Sequence, residues 1–347
     1  MLTYLKAFSY ALLVAYALTP LVRIVAIKVG AMDKPVERSV HTEPKPYLGG
    51  IAIYLAFSVA AIAFIGWDMP LVRGVVLGGG LIVVFGAIDD FLRLSAKVKL
   101  LGQILAALLL VVHYGVRVDF LTNPFGGMFY LHDWAIPLSV FWVVAVVNVV
   151  NLADGLDGLA AGISSIASLT LLFVGLFQQS PLPILLMTAA LAGAALGFLP
   201  HNFNPAKIFM GDAGAMFLGY ALAAVSIQGT LKSATGLALG IPILALGLPI
   251  FDTAFAIVRR TGSGRKFYEA DRGHLHHRLM QLGLSHRDTV LVMYAVSAWL
   301  GVSAVAISEL SFFPALMVML AVTLALVAGA RRLGVLYVRP KHQNVSH

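Results

Sequence analysis

Five aspartates stand at the ends of long apolar runs. Asp89 and Asp90 follow a run ending near residue 88, Asp154 and Asp157 precede one beginning near 158, and Asp212 lies where one opens near 208; a sixth, Asp252, sits inside a run. A carboxylate at such a depth is costly unless it is paired, hydrated or bound to a cation, so each is a candidate functional residue. In GAIDDFLRLSAKVKLLGQ the adjacent Asp89 and Asp90 repel, so one stays protonated or a cation intervenes. That pair suits a base or a magnesium-facing group, with Arg93, Lys97 and Lys99 close by for phosphate.

The stretch NVVNLADGLDGLA places Asn151, Asp154 and Asp157 three apart, a slowly drifting stripe if the segment is helical. Gly155 and Gly158 leave open backbone beside those oxygens, which fits a hard cation or a phosphorylated substrate. Asn151 or Asp154 equally suits a cap on the next helix. HNFNPAKIFMGDAGAMFLGY repeats the theme with Asn202, Asn204, Lys207 and Asp212, and its Gly211, Gly214 and Ala215 admit a close backbone or ligand. DRGHLHHR gathers His274, His276, His277 and Arg278 behind Asp271 and Arg272. Three histidines suit a transition metal, yet no cysteine accompanies them and the remaining candidate ligands are oxygens. The cluster reads better as a grip on phosphate groups.

The elements that must position these residues are helices in a membrane. The 347 residues are 60% hydrophobic and only 12% charged, which excludes an ordinary soluble globule. Eleven apolar stretches approach the length needed to cross a bilayer: roughly 3–29, 48–65, 70–88, 99–115, 134–150, 158–178, 181–199, 208–228, 235–257, 288–307 and 311–330. The fold class expected is an all-α polytopic bundle, one domain over 1–347. Its first stretch ends in Arg23 and Lys28 without a cleavage site and reads as a retained helix. Threading the stretches alternately leaves only Lys6, Arg73, Arg117 and Lys232 opposite the other twenty lysines and arginines. The positive-inside rule then puts the amino terminus outside and the carboxyl terminus in the cytoplasm. The cytoplasmic loops, near 30–47, 89–99, 148–158, 200–210 and 259–287, collect every motif above. The net charge of +8 is accounted for by anionic lipid at that face, and no nucleic-acid partner is expected.

AIDDFLRLSAKVKL, NVVNLADGLDGLAAGI, FMGDAGAMFLGY and GHLHHRLMQLGLSHR, with the early loop DKPVERSVHTEPKPYLGG, resemble in order the signature blocks of the polyprenyl-phosphate N-acetylhexosamine-1-phosphate transferases. The resemblance spans essentially the whole chain. It implies transfer of a sugar 1-phosphate from a UDP-N-acetylhexosamine to undecaprenyl phosphate, releasing UMP, at the cytoplasmic face of the bacterial inner membrane. It implies Mg²⁺ as cofactor, with Mn²⁺ a substitute, and a homodimer as a candidate assembly. By the same resemblance Asp89 and Asp90 activate the prenyl phosphate or contact metal, and Asp212 and Asp154 are metal ligands. Asn151, Asp154 and Asp157 lie near nucleotide and metal, Asn202 and Phe209 on the uridine side, and His274, His276, His277 and Arg278 at the diphosphate or sugar. Lys97 and Lys99 would draw in both substrates.

The HLHHR block resembles the branch that uses UDP-N-acetylglucosamine to start teichoic acid, O-antigen or related envelope glycans. The phospho-MurNAc-pentapeptide branch carries a denser histidine run and a threonine-containing sequence where this chain has KPYLGG. A cation-coupled transporter is the reading from another class, but transporters set key charges near the midplane, often in repeated halves. Here the acids crowd one face, and no repeat is visible.

Overall fold

The computed structural model describes residues 2–33, 44–122, 127–230, 240–264, 266 and 273–336. Its helices are α1 (Leu2–Lys28), α2 (Gly49–Ile65), α3 (Pro70–Leu92), α4 (Ala96–Leu108), α5 (Ala135–Ala153), α6 (Leu159–Phe177), α7 (Leu182–Asn202), α8 (Gly211–Thr230), α9 (Gly240–Ala245), α10 (Gly247–Gly262), α11 (Leu275–Gln281), α12 (His286–Ser308) and α13 (Phe312–Arg332). A π-helical turn at Leu109–His113 extends α4. A 3-10 turn at His132–Trp134 precedes α5, and two short antiparallel pairs complete the described elements: β1 (Met32–Asp33) with β2 (Lys45–Pro46), and β3 (Phe120–Thr122) with β4 (Met128–Tyr130).

The chain is mostly helical, as an apolar sequence without water to satisfy its backbone must be. Among the described residues, eight helical stretches are long and apolar enough to cross a membrane, against the eleven expected. The stretch at 48–65 folds as α2, of only 17 residues. The one at 235–257 lies on two helices, because the run breaks at Leu246 (φ −96°, ψ 17°), and residues 231–239 fall outside the described chain. Pro249, with no amide hydrogen to donate, lies one turn into α10. Residues 34–43, 265 and 267–272 of the expected loops, including Asp271 and Arg272, likewise lie outside the described residues.

Small residues set the packing, as they must where lipid gives no hydrophobic drive between helices. Ala7, Ala11 and Ala15 of α1 are fully buried, and α1 lies along α7. The pivot is α8, which packs against α2, α3, α5, α6 and α7 and is buried along most of its length. Gly50 at the start of α2 rests directly on Gly214, and Gly86 near the end of α3 on Ala213. A methyl group at either glycine would strike α8 backbone, so these contacts fix where Asp212 stands. In contrast, α13 exposes Phe313, Met317, Leu320 and Leu324, a face suited to lipid.

Candidate active site

Helix α3 runs past the expected boundary to Leu92, so Asp89 and Asp90 lie in its last turns, Asp89 buried and Asp90 half-buried. The first turn of α8 meets them. The Asp212 amide donates to Asp90 Oδ1 at 2.9 Å, and Gly211 (φ 71°) passes so close to the Asp90 carboxylate that no side chain fits. From α4, Lys99 Nζ lies 2.7 Å from Asp89 Oδ2 and also pairs with Asp212 Oδ2. From α5, Asn151 Nδ2 donates to Asp212 Oδ1 at 3.0 Å. Four helix ends thus bring three carboxylates together, two of them paired with one ammonium. Among the described residues Asp90 Oδ2 is buried without a hydrogen-bond partner.

The stripe expected through Asn151, Asp154 and Asp157 does not form, because α5 stops at Ala153. Asp154 follows the helix end, and Asp157 sits in the turn before α6. The capping alternative fails as well: the residue preceding α6 is Gly158, at φ 80°, with no side-chain cap. Asp157 is half-buried; its Oδ2 accepts from Ala206 N at 2.9 Å and Asn204 Nδ2 at 3.2 Å, with Lys45 Nζ at 3.5 Å. Lys45 also lies over the Phe209 ring, 5.3 Å from its centroid. Behind them Asn202 is buried and tied at both ends, accepting from Gly158 N at 3.1 Å and donating to Ile208 O at 3.0 Å. Its amide joins the turn at 158 to the segment leading into α8.

Burial, and then the negative charges of Asp212 and Asp157, push the Asp154 carboxyl up to about 7. It has no basic partner among the described residues.

The histidine segment approaches from the other side. Asp252 of α10 is buried and accepts from Leu275 N at 2.8 Å, while its second oxygen lies 2.9 Å from His274 Nδ1. That pair holds the start of α11. In the first turn of α11, His276 is buried against Gly155, where an added Cβ would lie 2.8 Å from its Nε2. Burial, then the neighbouring His277, lowers the His276 pKa to about 4, so it is a neutral donor or acceptor near pH 7. The His276 and His277 rings are 4.2 Å apart. Arg278 bonds Gln281 of its own helix at 3.2 Å, and its Nε is buried without a partner among the described residues. Lys97 is exposed, and among the described residues it makes no contact with the carboxylates.

Sequence reasoning missed two residues and left a third without a role. Lys45 entered only as part of the charge total, Tyr294 went unnoticed, and Asp252 was a candidate with no assigned role. Tyr294 of α12 donates to Gly158 O at 2.5 Å and so clamps the turn that carries Asp154 and Asp157.

No set of three or more His, Asp or Glu side chains forms a ready metal cage among the described residues. Magnesium seldom needs one, since it is held by one or two carboxylates together with waters and substrate phosphates. The orphaned Asp90 oxygen, and the Lys99 ammonium held between Asp89 and Asp212, mark a place already built for positive charge. The donor set therefore fits that ion.

The profile of glycosyl transferase family 4 matches residues 72–230. The chain is 39% identical over 319 residues, 92% of its length and 88% of the relative's, to a probable undecaprenyl-phosphate N-acetylglucosaminyl 1-phosphate transferase of Bacillus subtilis. It is 39% identical over 334 residues, 87% of its length and 81% of the relative's, to a decaprenyl-phosphate N-acetylglucosaminephosphotransferase of Mycolicibacterium smegmatis. An undecaprenyl-phosphate alpha-N-acetylglucosaminyl 1-phosphate transferase of Yersinia pestis is 28% identical over 319 residues, 90% of this chain and 87% of that one. With the carboxylates, the turn and the histidine segment converging as they do, the chain belongs to glycosyl transferase family 4, among the polyprenyl-phosphate N-acetylhexosamine-1-phosphate transferases.

Proposed function

We propose that this protein transfers N-acetylglucosamine 1-phosphate from UDP-GlcNAc to undecaprenyl phosphate, giving undecaprenyl-diphosphate-GlcNAc and UMP, as the first step of a cell-envelope glycan. The observation that carries the reading is the meeting of Asp89, Asp90 and Asp212 at one end of the bundle, with Lys99 paired to Asp89 and Asp212, where a soluble nucleotide and a membrane lipid can both arrive. The names of the relatives support the sugar and the polyprenyl acceptor. Eleven crossings are read from the apolar stretches, and the amino terminus outside with the site facing the cytoplasm from the charge distribution.

In this reading a prenyl-phosphate oxygen attacks the β-phosphorus of the donor, and the bond to UMP breaks with its electron pair leaving on UMP. The nucleophile is already anionic, which favours direct attack over a covalent aspartyl intermediate. Lys99 neutralises phosphate charge, and Asp89 and Asp90 orient the acceptor and take up any proton it carries. Lys45 and Phe209 hold the uridine side, with Asp157 and Asn202 shaping the wall behind them. His276, uncharged, donates to the diphosphate or sugar beside Gly155. When bound at Asp212 and the neighbouring carboxylates, Mg²⁺ would supply charge compensation for the diphosphate.

Purified protein given radiolabelled UDP-GlcNAc and undecaprenyl phosphate should form a lipid-linked, chloroform-soluble sugar, and UMP in equal amount. UDP-MurNAc-pentapeptide run in parallel should give none. Product from the second donor alone would assign the peptidoglycan branch, and product from neither would return the transporter reading.

A further inference from the structure

Two amide side chains lie one helical turn deeper in the bundle than the carboxylates. Gln103 ends the stretch GAIDDFLRLSAKVKLLGQ and Asn148 begins NVVNLADGLDGLA, yet neither has a part in the transfer described above. Gln103 is 3% exposed and Asn148 half-buried. They meet between α4 and α5: Asn148 Nδ2 donates to Gln103 Oε1 at 2.7 Å. Gln103 Nε2 lies 3.4 Å from Asn148 Oδ1 and 3.4 Å from Met216 Sδ of α8. Asn148 also donates to Val144 O of its own helix at 2.8 Å. An amide carried into a bilayer is costly unless it is bonded, and polar side chains there point to function.

Spacing ties this pair to the site. Gln103 follows Lys99 by four residues, Asn148 precedes Asn151 by three, and Met216 follows Asp212 by four, so each is one turn from a residue of the site. Helices α4, α5 and α8 are therefore joined at two successive levels. At the first, Lys99 and Asn151 meet on Asp212; at the second, Gln103 and Asn148 meet beside Met216. The same turn of α4 seats Gly102 on α3, where an added Cβ would lie 2.7 Å from Phe85, one turn before Asp89. The first level cannot fix the helices by itself, because an ammonium on a flexible four-carbon stem reaches many positions. Two amides bonded in a dry interior accept few. We infer that Gln103 and Asn148 are positioning residues for the transfer: their paired amides set α4 on α5 so that Lys99 and Asn151 converge on Asp212. The kinetic consequence rests on the function proposed above, whereas the placement of Lys99 can be read without any substrate.

Gln103→Met keeps the shape of the side chain and removes its amide, while Asn148 retains the bond to Val144 O. Single interhelical bonds of this kind stabilise membrane bundles little, so the variant should insert and melt near the wild-type temperature. Acylation of Lys99 by a water-soluble succinimidyl ester, read by peptide mass spectrometry on substrate-free protein, should quicken about tenfold, the worth of one charge-assisted hydrogen bond. With UDP-GlcNAc and undecaprenyl phosphate, kcat should fall about 10²-fold, the cost of ångström-scale misplacement, while the donor KM stays within about twofold. The exchanged pair Gln103→Asn/Asn148→Gln keeps both amides at the same combined length and should recover most of the lost kcat. Wild-type acylation or wild-type kcat in Gln103→Met would overturn the inference. So would a drop in melting temperature that accounts for the lost activity, or an exchanged pair no faster than Gln103→Met. A wild type that makes no product from UDP-GlcNAc would withdraw the proposed donor instead, and the Lys99 acylation rates would still decide the placement.

Discussion

Asp90 and Asp212 are joined through the backbone: the amide that opens α8 donates to a carboxylate in the last turn of α3, at 2.9 Å. This bond occupies Oδ1 and leaves Oδ2 buried and orphaned. Asp90→Asn keeps an acceptor for the amide and removes the charge. It should therefore insert and fold as the wild type does while transfer falls about 10²- to 10⁴-fold, the usual cost of losing an acid–base group. Unchanged turnover would take Asp90 out of the reaction.

Asp212→Asn preserves an oxygen for Asn151 and forfeits the ion pair with Lys99. The expected outcome is retained folding, weak transfer and a magnesium half-saturation point raised about 10- to 100-fold, the range that even outer partners of a metal produce. A magnesium titration of the residual activity measures this. A wild-type half-saturation point would reduce Asp212 to a helix-start residue.

Gly155 touches His276, and its lack of a side chain is what allows that contact. Gly155→Ala should displace the imidazole and lower transfer about 10²-fold, since ångström-scale misplacement carries that cost. The variant should melt near the wild-type temperature, because the imidazole is the free end of a side chain and can swing aside.

The pH dependence of stability should carry the mark of His276. Its folded pKa, about 4, lies below the ordinary 6.5, so the unfolded chain takes up the proton more readily. The stability it contributes is whole above pH 6.5 and is lost as the pH falls from there towards 4. His276→Asn removes that loss, so between pH 7 and 5 the wild-type melting temperature should fall more steeply than the variant's. Parallel slopes would mean that His276 is not buried in the neutral form.

Asp157→Ala leaves the Ala206 amide without its acceptor and Lys45 without its partner. A loss of about 1–3 kcal/mol is expected from the unpaired amide. Asp157→Asn, which still offers an oxygen, should lose less. Thermal melts in detergent compare the two.

Much of this arrangement was legible in the sequence, because intramembrane acids are too costly to be incidental and helical spans declare themselves by apolar length. Each of the eleven stretches carries helix, and Asp89, Asp90, Lys99, Asn151 and Asp212 do come together. What stayed hidden was set by contacts between distant segments. The end of α5 at Ala153 turned an expected helical stripe into a turn, and no local spacing announces that. Lys45 gains its place only when β2 docks against Phe209, whose amide donates to Pro46 O at 2.8 Å. Lys97, unlike Lys99, is exposed on α4 and among the described residues pairs with none of the carboxylates.

The break at Leu246 turns one apolar run into two segments with separate tasks. The first, α9, packs among α6, α8 and α12 inside the bundle. The second, α10, carries Asp252, which grips the first residues of α11. His276 of that short helix rests on Gly155. The histidine segment is therefore a bridge, moored on α10 at one end and seated on the turn at 154–158 at the other, so a change at either pier reaches the other through it.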